Sequence, residues 1–489
     1  MDRIRLRFTG ITAYSTTLAT TLTGFIFMLL ITRRLTPEEL GVWRYIGTLI
    51  TYFIIPANLL SFWATRFTAA GEKLLTTLLT ITATASALAT LAFITSANIF
   101  ASPVNFPTTI FIAAALEIPS IYLYTVLEAV SYAKKPHVNY YAQLVQEILK
   151  IPVAAALVII MRLGLLGAII ATIAAYIARA ATVAFYIKDL EWGKLSAKTA
   201  AKMASVMWLP LYQSGAGAIL ALDTVIVTIL TGSAPVGYAA AVFLLGSMIT
   251  ATGTLAAGLY PKMLQHPSGK DIEAALSLVL MLAIPSSIGV ILLGAPLLNI
   301  LRPEYSAAAQ VLPIAIIHAC AFVMSSIMDA VIAGSERADF NNISFKNLLR
   351  SKLFLLPTLN YLNAAAYIPT LYVVVILLNP ANPLNVLTIW FTLNLAIFIV
   401  FTLYKTLVAY RSVKFSFPVK PVINYSTAAA VMAIIVYLLR PTTTPVEILP
   451  ALSQTIPAVI AGTAAYFATL YIIDKNLREL FRAILENII

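Results

Sequence analysis

Apolar runs of about twenty residues recur along the whole 489-residue chain. A helix needs roughly twenty residues to cross the ~30 Å hydrocarbon core of a bilayer. Because the chain is 60% hydrophobic and only 11% charged, a soluble core could not bury this much apolar surface. The sequence therefore predicts an all-α integral membrane protein with about fourteen transmembrane helices. The runs begin near Thr9, Leu40, Leu74, Pro107, Tyr140, Gly164, Met203, Val236, Ile272, Ala309, Leu353, Leu384, Pro421 and Ala451.

The eleventh run is the least regular. Its polar start, Asn341 to Lys352, and two prolines, Pro357 and Pro369, predict a broken helix. No stretch between runs exceeds about fifteen residues, which excludes a soluble domain. The first run follows three arginines and is too long for a signal peptide, so we expect it to be a retained span.

Basic residues predict the orientation. The net charge of +12 could suggest nucleic acid, but its placement between apolar runs favours loops ordered by the positive-inside rule. With both termini in the cytoplasm, inner loops and tails hold 24 of the 32 lysines and arginines. The outer loops hold five of these basic residues: Arg33, Arg34, Arg162, Arg302 and Arg440. We therefore expect a multi-pass protein of the cytoplasmic membrane with no nucleic-acid partner. We also expect it to act as a monomer.

One charged stretch, "TRRLTPEELGVWRY" from Thr32, separates the first two runs. Thr36 is suited to cap the second helix, Pro37 fits its first turn, and Glu39 completes a capping box. The acids are thus explained by helix initiation. The arginines are not.

Two pairs of segments indicate an internal repeat. "LTPEELGVW" from Leu35 resembles "LTGSAPVGY" from Leu230, and "LEAVSYAKKP" from Leu127 resembles "MDAVIAGSER" from Met328. Both pairs are offset by about two hundred residues and by six spans. Six is even, so the halves should be related by a pseudo-two-fold axis along the membrane normal. The predicted organisation is an N-terminal lobe (1–187), a linker (188–202), a C-terminal lobe (203–410), two further spans (411–473) and a cytoplasmic amphipathic tail (474–489).

Several stretches carry a family resemblance: "ITRRLTPEELGVW", "ATRFTAAGEK", "RLGLLGAIIAT", "LDTVIVTILTGSAPVGYAAA" and "LLNILRPEYSAAAQVLPIA". They resemble polysaccharide transporters of the multidrug/oligosaccharidyl-lipid/polysaccharide exporter superfamily. The resemblance implies a two-lobed, fourteen-helix flippase that moves a glycan linked to polyprenyl phosphate or pyrophosphate across the membrane by alternating access. Drug exporters share this fold, so fold alone does not identify the cargo.

Charged residues inside spans are the candidate functional residues, because each is costly in lipid unless it faces a partner or a wet cavity. Basic groups suit phosphate oxygens, which accept charge-assisted hydrogen bonds. Glu117 and Asp223 are candidates for gating or ion coupling. The candidate cargo-binding residues are Arg44, Arg66, Lys150, Arg179, Arg33 and Arg34.

Each candidate also has a structural interpretation. Glu147 and Lys150 are spaced to pair on one helix face. Glu128 and Asp329 lie near basic loops and fit interfacial anchors. Arg66 opens an inner loop, Arg33 and Arg34 could pair with Glu38 and Glu39, and Arg44 could reach the outer interface. His318 is expected to be a satisfied interior histidine.

Enzyme chemistry and cofactors are not predicted. The chain has no phosphate-binding glycine loop and no Cys/His cluster, and its single cysteine, Cys320, lies in an apolar run. A glycan polymerase or glycosyltransferase would need catalytic groups on a sizeable outer loop, which the sequence lacks. A cation-coupled multidrug exporter is the main alternative; an acid would be expected in the first span, but Thr9 to Ile31 contains none.

Overall fold

The computed structural model describes residues 6–135, 137–188, 193–205, 207–336, 351–441, 445–474 and 478. Every regular element in these ranges is a helix, which confirms the all-α prediction. The helices of the first half are α1 (Leu6–Thr32), α2 (Pro37–Phe53), α3 (Ile55–Ala69), α4 (Leu75–Ala101), α5 (Thr108–Ala114), α6 (Glu117–Lys134), α7 (His137–Ala154), α8 (Gly164–Ile187), α9 (Ala197–Ser205), α10 (Trp208–Leu220) and α11 (Leu222–Thr231). Those of the second half are α12 (Ala234–Ala251), α13 (Leu259–Gln265), α14 (Gly269–Leu292), α15 (Gly294–Leu301), α16 (Leu312–Gly334), α17 (Lys352–Leu378), α18 (Pro383–Ser412), α19 (Val419–Leu439) and α20 (Ile448–Ile473).

The described helices account for the predicted spans. Twelve segments are long and apolar enough to cross a membrane, and the bent pair α2–α3 makes a thirteenth. α1, with 27 residues, corresponds to the first predicted span. About fourteen transmembrane helices are therefore confirmed. The predicted amphipathic tail, 474–489, lies almost wholly outside the described residues, as does part of the linker, 189–192.

The broken helix was predicted in the wrong span. α17 runs without interruption for 27 residues, while residues 341–350 of its predicted polar start lie outside the described ranges. The second span is broken instead: α2 and α3 meet at an angle of 53°. Pro56 causes this break, because it has no N–H to continue the helical hydrogen bonds.

The start of α2 confirms the predicted hairpin chemistry. The Thr36 hydroxyl accepts from the Glu39 N–H at 3.2 Å, and the Glu39 carboxylate accepts from the Thr36 N–H at 2.8 Å. Pro37 occupies the first turn, where its missing N–H costs nothing. The stretch is therefore a capping box that starts the second span.

The helices pack into two compact units. The first unit comprises residues 22–240 and 360–386, and the second comprises 1–21, 241–359 and 387–489. In the first unit α6 packs on α3, α4 and α8; in the second α14 packs on α16 and α19. Membrane helices hold together by this close packing, since lipid tails are as apolar as their side chains. The lobes predicted from the repeat, 1–187 and 203–410, have different boundaries from these units. The two-lobed division stays a prediction.

Candidate functional site

The bend between α2 and α3 is held by tyrosines. The hydroxyl of Tyr122 donates to the Phe53 carbonyl at 2.9 Å, a carbonyl at the break. The hydroxyl of Tyr52 donates to the Ala218 carbonyl of α10 at 3.0 Å. Broken membrane helices need such partners, because lipid offers none to a freed carbonyl. A cavity of about 410 Å³, lined by Tyr52, Pro56, Leu88 and Tyr122, opens beside the bend.

Arg44 lies on α2 between the capping box and this bend. Its side chain is exposed, whereas Tyr45 and Ile46 beside it are buried in the core of the first unit. Asp223 lies close enough for the two charges to interact. No carboxylate within the described residues reaches ion-pair distance of Arg44, so its donors remain available to a ligand.

Asp223 stands at an interruption of the seventh span. α10 ends at Leu220, and α11 restarts at Leu222. The Asp223 carboxylate accepts from the Thr224 N–H at 2.5 Å and from the Tyr367 hydroxyl of α17 at 3.2 Å. A carboxylate in the first turn of a helix is stabilised by the helix dipole. The structure therefore brings Arg44, Asp223 and two tyrosines, Tyr52 and Tyr367, together in the first unit.

The remaining basic candidates of the second span and the hairpin lie apart from this cluster. Arg66 is exposed near the end of α3, with its guanidinium 3.6 Å from the Phe62 ring centroid and no carboxylate partner within the described residues. Its Nη1 donates to the Phe62 carbonyl at 3.4 Å, and the other N–H groups of the guanidinium edge are available to anions. Arg34 is exposed on the hairpin, and Arg33 is half-buried.

Lys150 is paired as its spacing predicted. Its Nζ lies 2.5 Å from Oε2 of Glu147 on the same helix. Glu147 also accepts from the Thr23 hydroxyl of α1 at 3.0 Å, and Lys150 lies 5.0 Å from the Phe27 ring centroid. This pair therefore joins α7 to α1, and Lys150 would have to leave it to bind a cargo.

Arg179 is neutralised by Glu128. Its Nε and Nη2 donate to the two oxygens of Glu128 at 2.5 and 2.8 Å, and Nη1 donates to Gln146 at 2.8 Å. The Tyr124 ring lies 4.5 Å from the guanidinium carbon. Glu128 is thus engaged by a half-buried arginine rather than by the basic loop beyond α6.

Glu117 begins α6 and is buried. Its Oε1 has no hydrogen-bond partner within the described residues. An unpartnered carboxylate is costly in an apolar interior, so this group is the first unit's least satisfied acid in the described ranges. Its predicted role in gating or ion coupling stays a prediction.

The second unit contains a charged pair that sequence reasoning missed. Lys405 is one of the 24 basic residues that the sequence assigned to inner loops and tails. It is instead buried within α18, where it donates to Asp329 of α16 at 2.9 Å and to Ser325 at 3.2 Å. In the same two helices, the His318 ring lies 4.9 Å from the Phe398 ring at a tilt of 47°, and His318 is hydrogen-bonded to Asn394. The predicted interior role of His318 agrees with this geometry. The signal for Lys405 was the mostly apolar sequence on both sides of it, residues 395–404 and 406–410.

An apolar cavity of about 470 Å³ also lies in the second unit. Side chains of α14, α19 and α20 line it, among them Leu282, Pro285, Met432, Val436 and Phe467. The Tyr466 hydroxyl at its wall is already bonded to the Met281 carbonyl at 2.5 Å. Its lining suits a hydrocarbon chain.

Comparisons with known proteins agree with this architecture. No protein-family model matches the sequence, and no curated protein matches it. Solved structures do. The lipid II flippase MurJ in an inward closed conformation superposes with a TM-score of 0.66 at 14% identity, covering 96% of this chain and 99% of that one. An inward-facing multidrug resistance MATE family transporter of the MOP superfamily gives 0.59 at 14% identity, covering 83% and 99%.

The chain has the fold of this exporter superfamily. A MATE transporter in the straight conformation agrees, with a TM-score of 0.52 at 12% identity over 83% of this chain and 96% of that one. The resemblance drawn from the sequence is thus confirmed at the level of the fold, and these neighbours are transporters rather than enzymes. The long apolar helices of the described residues, twelve of them long enough to cross a bilayer, are those of a multi-pass membrane protein.

Metal ligation finds no support in the described residues, which contain no group of three or more His, Cys, Asp or Glu residues placed to hold an ion. The tyrosines of the cluster were missed by sequence reasoning. Tyr52 and Tyr367 lie in apolar runs, where a tyrosine is ordinary, and only the fold shows where their hydroxyls go.

Proposed function

We propose that this protein flips a polyprenyl-linked oligosaccharide or polysaccharide precursor across the cytoplasmic membrane by alternating access. The observation that carries the proposal is an exposed guanidinium within a span, that of Arg44, in a chain with the fold of a lipid II flippase. An arginine inside a span is retained where it meets water, a partner or a ligand. Phosphate oxygens are ligands that its planar fork binds in pairs.

The basic candidates divide into two kinds. Arg44 and Arg66 have no carboxylate at ion-pair distance within the described residues, whereas Lys150 and Arg179 are each held by an acid. We therefore assign the cargo phosphates to Arg66 near the predicted inner end of the second span and to Arg44 near its outer end, where they would be held before release. Lys150 and Arg179 would contribute only in a state that opens their ion pairs, and Arg33 and Arg34 would act at the outer hairpin.

The apolar cavity of the second unit supports a lipid-linked cargo. Its volume of about 470 Å³ and its hydrocarbon lining fit several isoprene units. A cargo with a phosphate head and a long apolar tail needs both a basic site and such a cavity. A free sugar would need neither.

A cation-coupled multidrug exporter is the second candidate. Asp223, half-buried at the interruption of the seventh span, is the observation that favours it, since an acid could attract a cationic drug or a coupling ion. Arg44 beside it opposes a cationic cargo, because like charges repel in a low-dielectric site. We assign Asp223 and Glu117 to gating or coupling instead.

Reconstitution tests the proposal. Purified protein in liposomes should move a fluorescent polyprenyl-pyrophosphate or polyprenyl-phosphate oligosaccharide between leaflets, measured by accessibility of the glycan to a membrane-impermeant lectin. Protein-free liposomes are the control for spontaneous flipping, and an organic cation is the competing cargo. Movement of the cation alone, with the glycan static, would contradict the flippase and favour the drug exporter.

A further inference from the structure

The two glycines of the repeated hairpin motif meet each other in the first unit. Gly41 of "LTPEELGVW" and Gly237 of "LTGSAPVGY" are both buried. A methyl group added to Gly41 would overlap the Ser233 carbonyl oxygen and lie 3.0 Å from the Gly237 nitrogen. One added to Gly237 would overlap the Pro37 carbonyl oxygen and lie 3.1 Å from the Gly41 nitrogen.

This contact is reciprocal. Pro37 precedes Gly41 by four residues, and Ser233 precedes Gly237 by four residues. Each glycine therefore faces the carbonyl that precedes the other glycine by one helical turn, as in an interface with two-fold symmetry. The Cα hydrogen of each glycine occupies the direction that a side chain would take, so it points at that carbonyl. Such contacts let membrane helices approach at their backbones.

The contact also has a defined place in the predicted topology. Gly41 is the fifth residue of α2 and Gly237 the fourth of α12, and both helices begin at the predicted outer face. One glycine belongs to each predicted lobe. Arg44 follows Gly41 by three residues, so the contact lies about one helical turn outside the proposed cargo site.

We propose that the Gly41–Gly237 contact is the outer gate of the transporter. It closes the outer end while cargo enters from the inside, and it separates when cargo leaves. The atoms in contact are backbone atoms, so closure depends on the absence of both side chains. The weak hydrogen bonds of such a contact permit separation in each cycle, unlike a buried ion pair. The inference rests on the alternating access of the proposed function.

Distance measurements without cargo test this gate. Spin labels would be placed at Glu38 and Ala234, in the first turns of the two helices, in a Cys320→Ala background. Gly41→Ala and Gly237→Ala should each reduce the short-distance population about tenfold or more, because their methyl groups collide with backbone that cannot rotate away. The double variant should lose no more than either single variant, since all three break one contact.

Two matched controls lie in the same helices. Gly47→Ala in α2 and Gly246→Ala in α12 add methyl groups that meet nothing within 4 Å, so the short-distance population should not change. An unchanged short distance in Gly41→Ala and Gly237→Ala would overturn the proposal. If those variants give little folded protein, the test uses the labelled protein that keeps both glycines. It should show both a short and a long distance between the labels. A single distance under all conditions would overturn the gate. Because no cargo is present, a failed flipping assay would not affect this result.

Discussion

Arg179 and Glu128 join α8 to α6 through two parallel hydrogen bonds, although 51 residues separate them in the sequence. Gln146 adds α7 to the same guanidinium. Both side chains are largely withdrawn from solvent, with exposed fractions of 19% and 14%. The pair therefore acts as a structural junction of three helices, and each charge is tolerated because the other is present.

Removing one partner of this ion pair should lower the free energy of unfolding more than removing both partners. Glu128→Gln or Arg179→Met leaves a half-buried charge uncompensated, which lowers the free energy of unfolding by up to about 3 kcal/mol. The double variant Glu128→Leu/Arg179→Met should recover much of that loss. Thermal unfolding in detergent measures it, with Arg66→Met as the control that removes an arginine without a carboxylate partner among the described residues. Single-variant losses that simply add in the double variant would contradict the junction.

The fold was predictable because lipid restricts the choices. An apolar run of twenty residues in a bilayer must form a helix, so the runs located the spans and the capping box located the start of α2. The break was not predictable in the same way. Pro56, Pro357 and Pro369 look alike in sequence, but only at Pro56 do the hydroxyls of Tyr52 and Tyr122 support a bend.

The candidate site was predictable only residue by residue. Local spacing predicted the pair of Glu147 and Lys150, since both lie on one face of one helix. Pairs between helices, such as Asp329 with Lys405, depend on which helices become neighbours, and a single sequence does not contain that information. The contact between Gly41 and Gly237 likewise could not be predicted from neighbouring residues, although the repeated segments contain both glycines.

Glu117 should contribute to coupling rather than to folding. Glu117→Gln keeps the shape of the side chain and removes its proton exchange, so we expect normal membrane abundance. Transport driven by a pH gradient should become insensitive to that gradient. Tyr124 and Tyr176 are the nearby titratable side chains, and their Phe variants are the controls. A gradient dependence that survives in Glu117→Gln would exclude this role.

Cysteine labelling should establish the orientation. In a Cys320→Ala background the chain has no other cysteine. Glu304→Cys is expected to react with an impermeant maleimide added outside intact cells, because its exposed side chain lies on a predicted outer loop. Lys194→Cys and Arg411→Cys, exposed on predicted inner loops, should react only after permeabilisation. The reverse pattern would place both termini outside.

Arg44 should be the arginine on which transport depends most. Arg44→Ala removes an exposed guanidinium without opening the buried core, so abundance should hold while glycan flipping falls about tenfold or more, the expected loss of a charge-assisted phosphate contact. Arg44→Lys keeps the charge but not the planar fork, so it should restore transport only partly. Arg34→Ala, on the exposed hairpin, is the matched control and should cost less. Flipping is to be compared at equal membrane abundance in proteoliposomes. Full transport by Arg44→Ala would mean that its guanidinium only reaches the interface, and the cargo phosphates would then have to bind elsewhere.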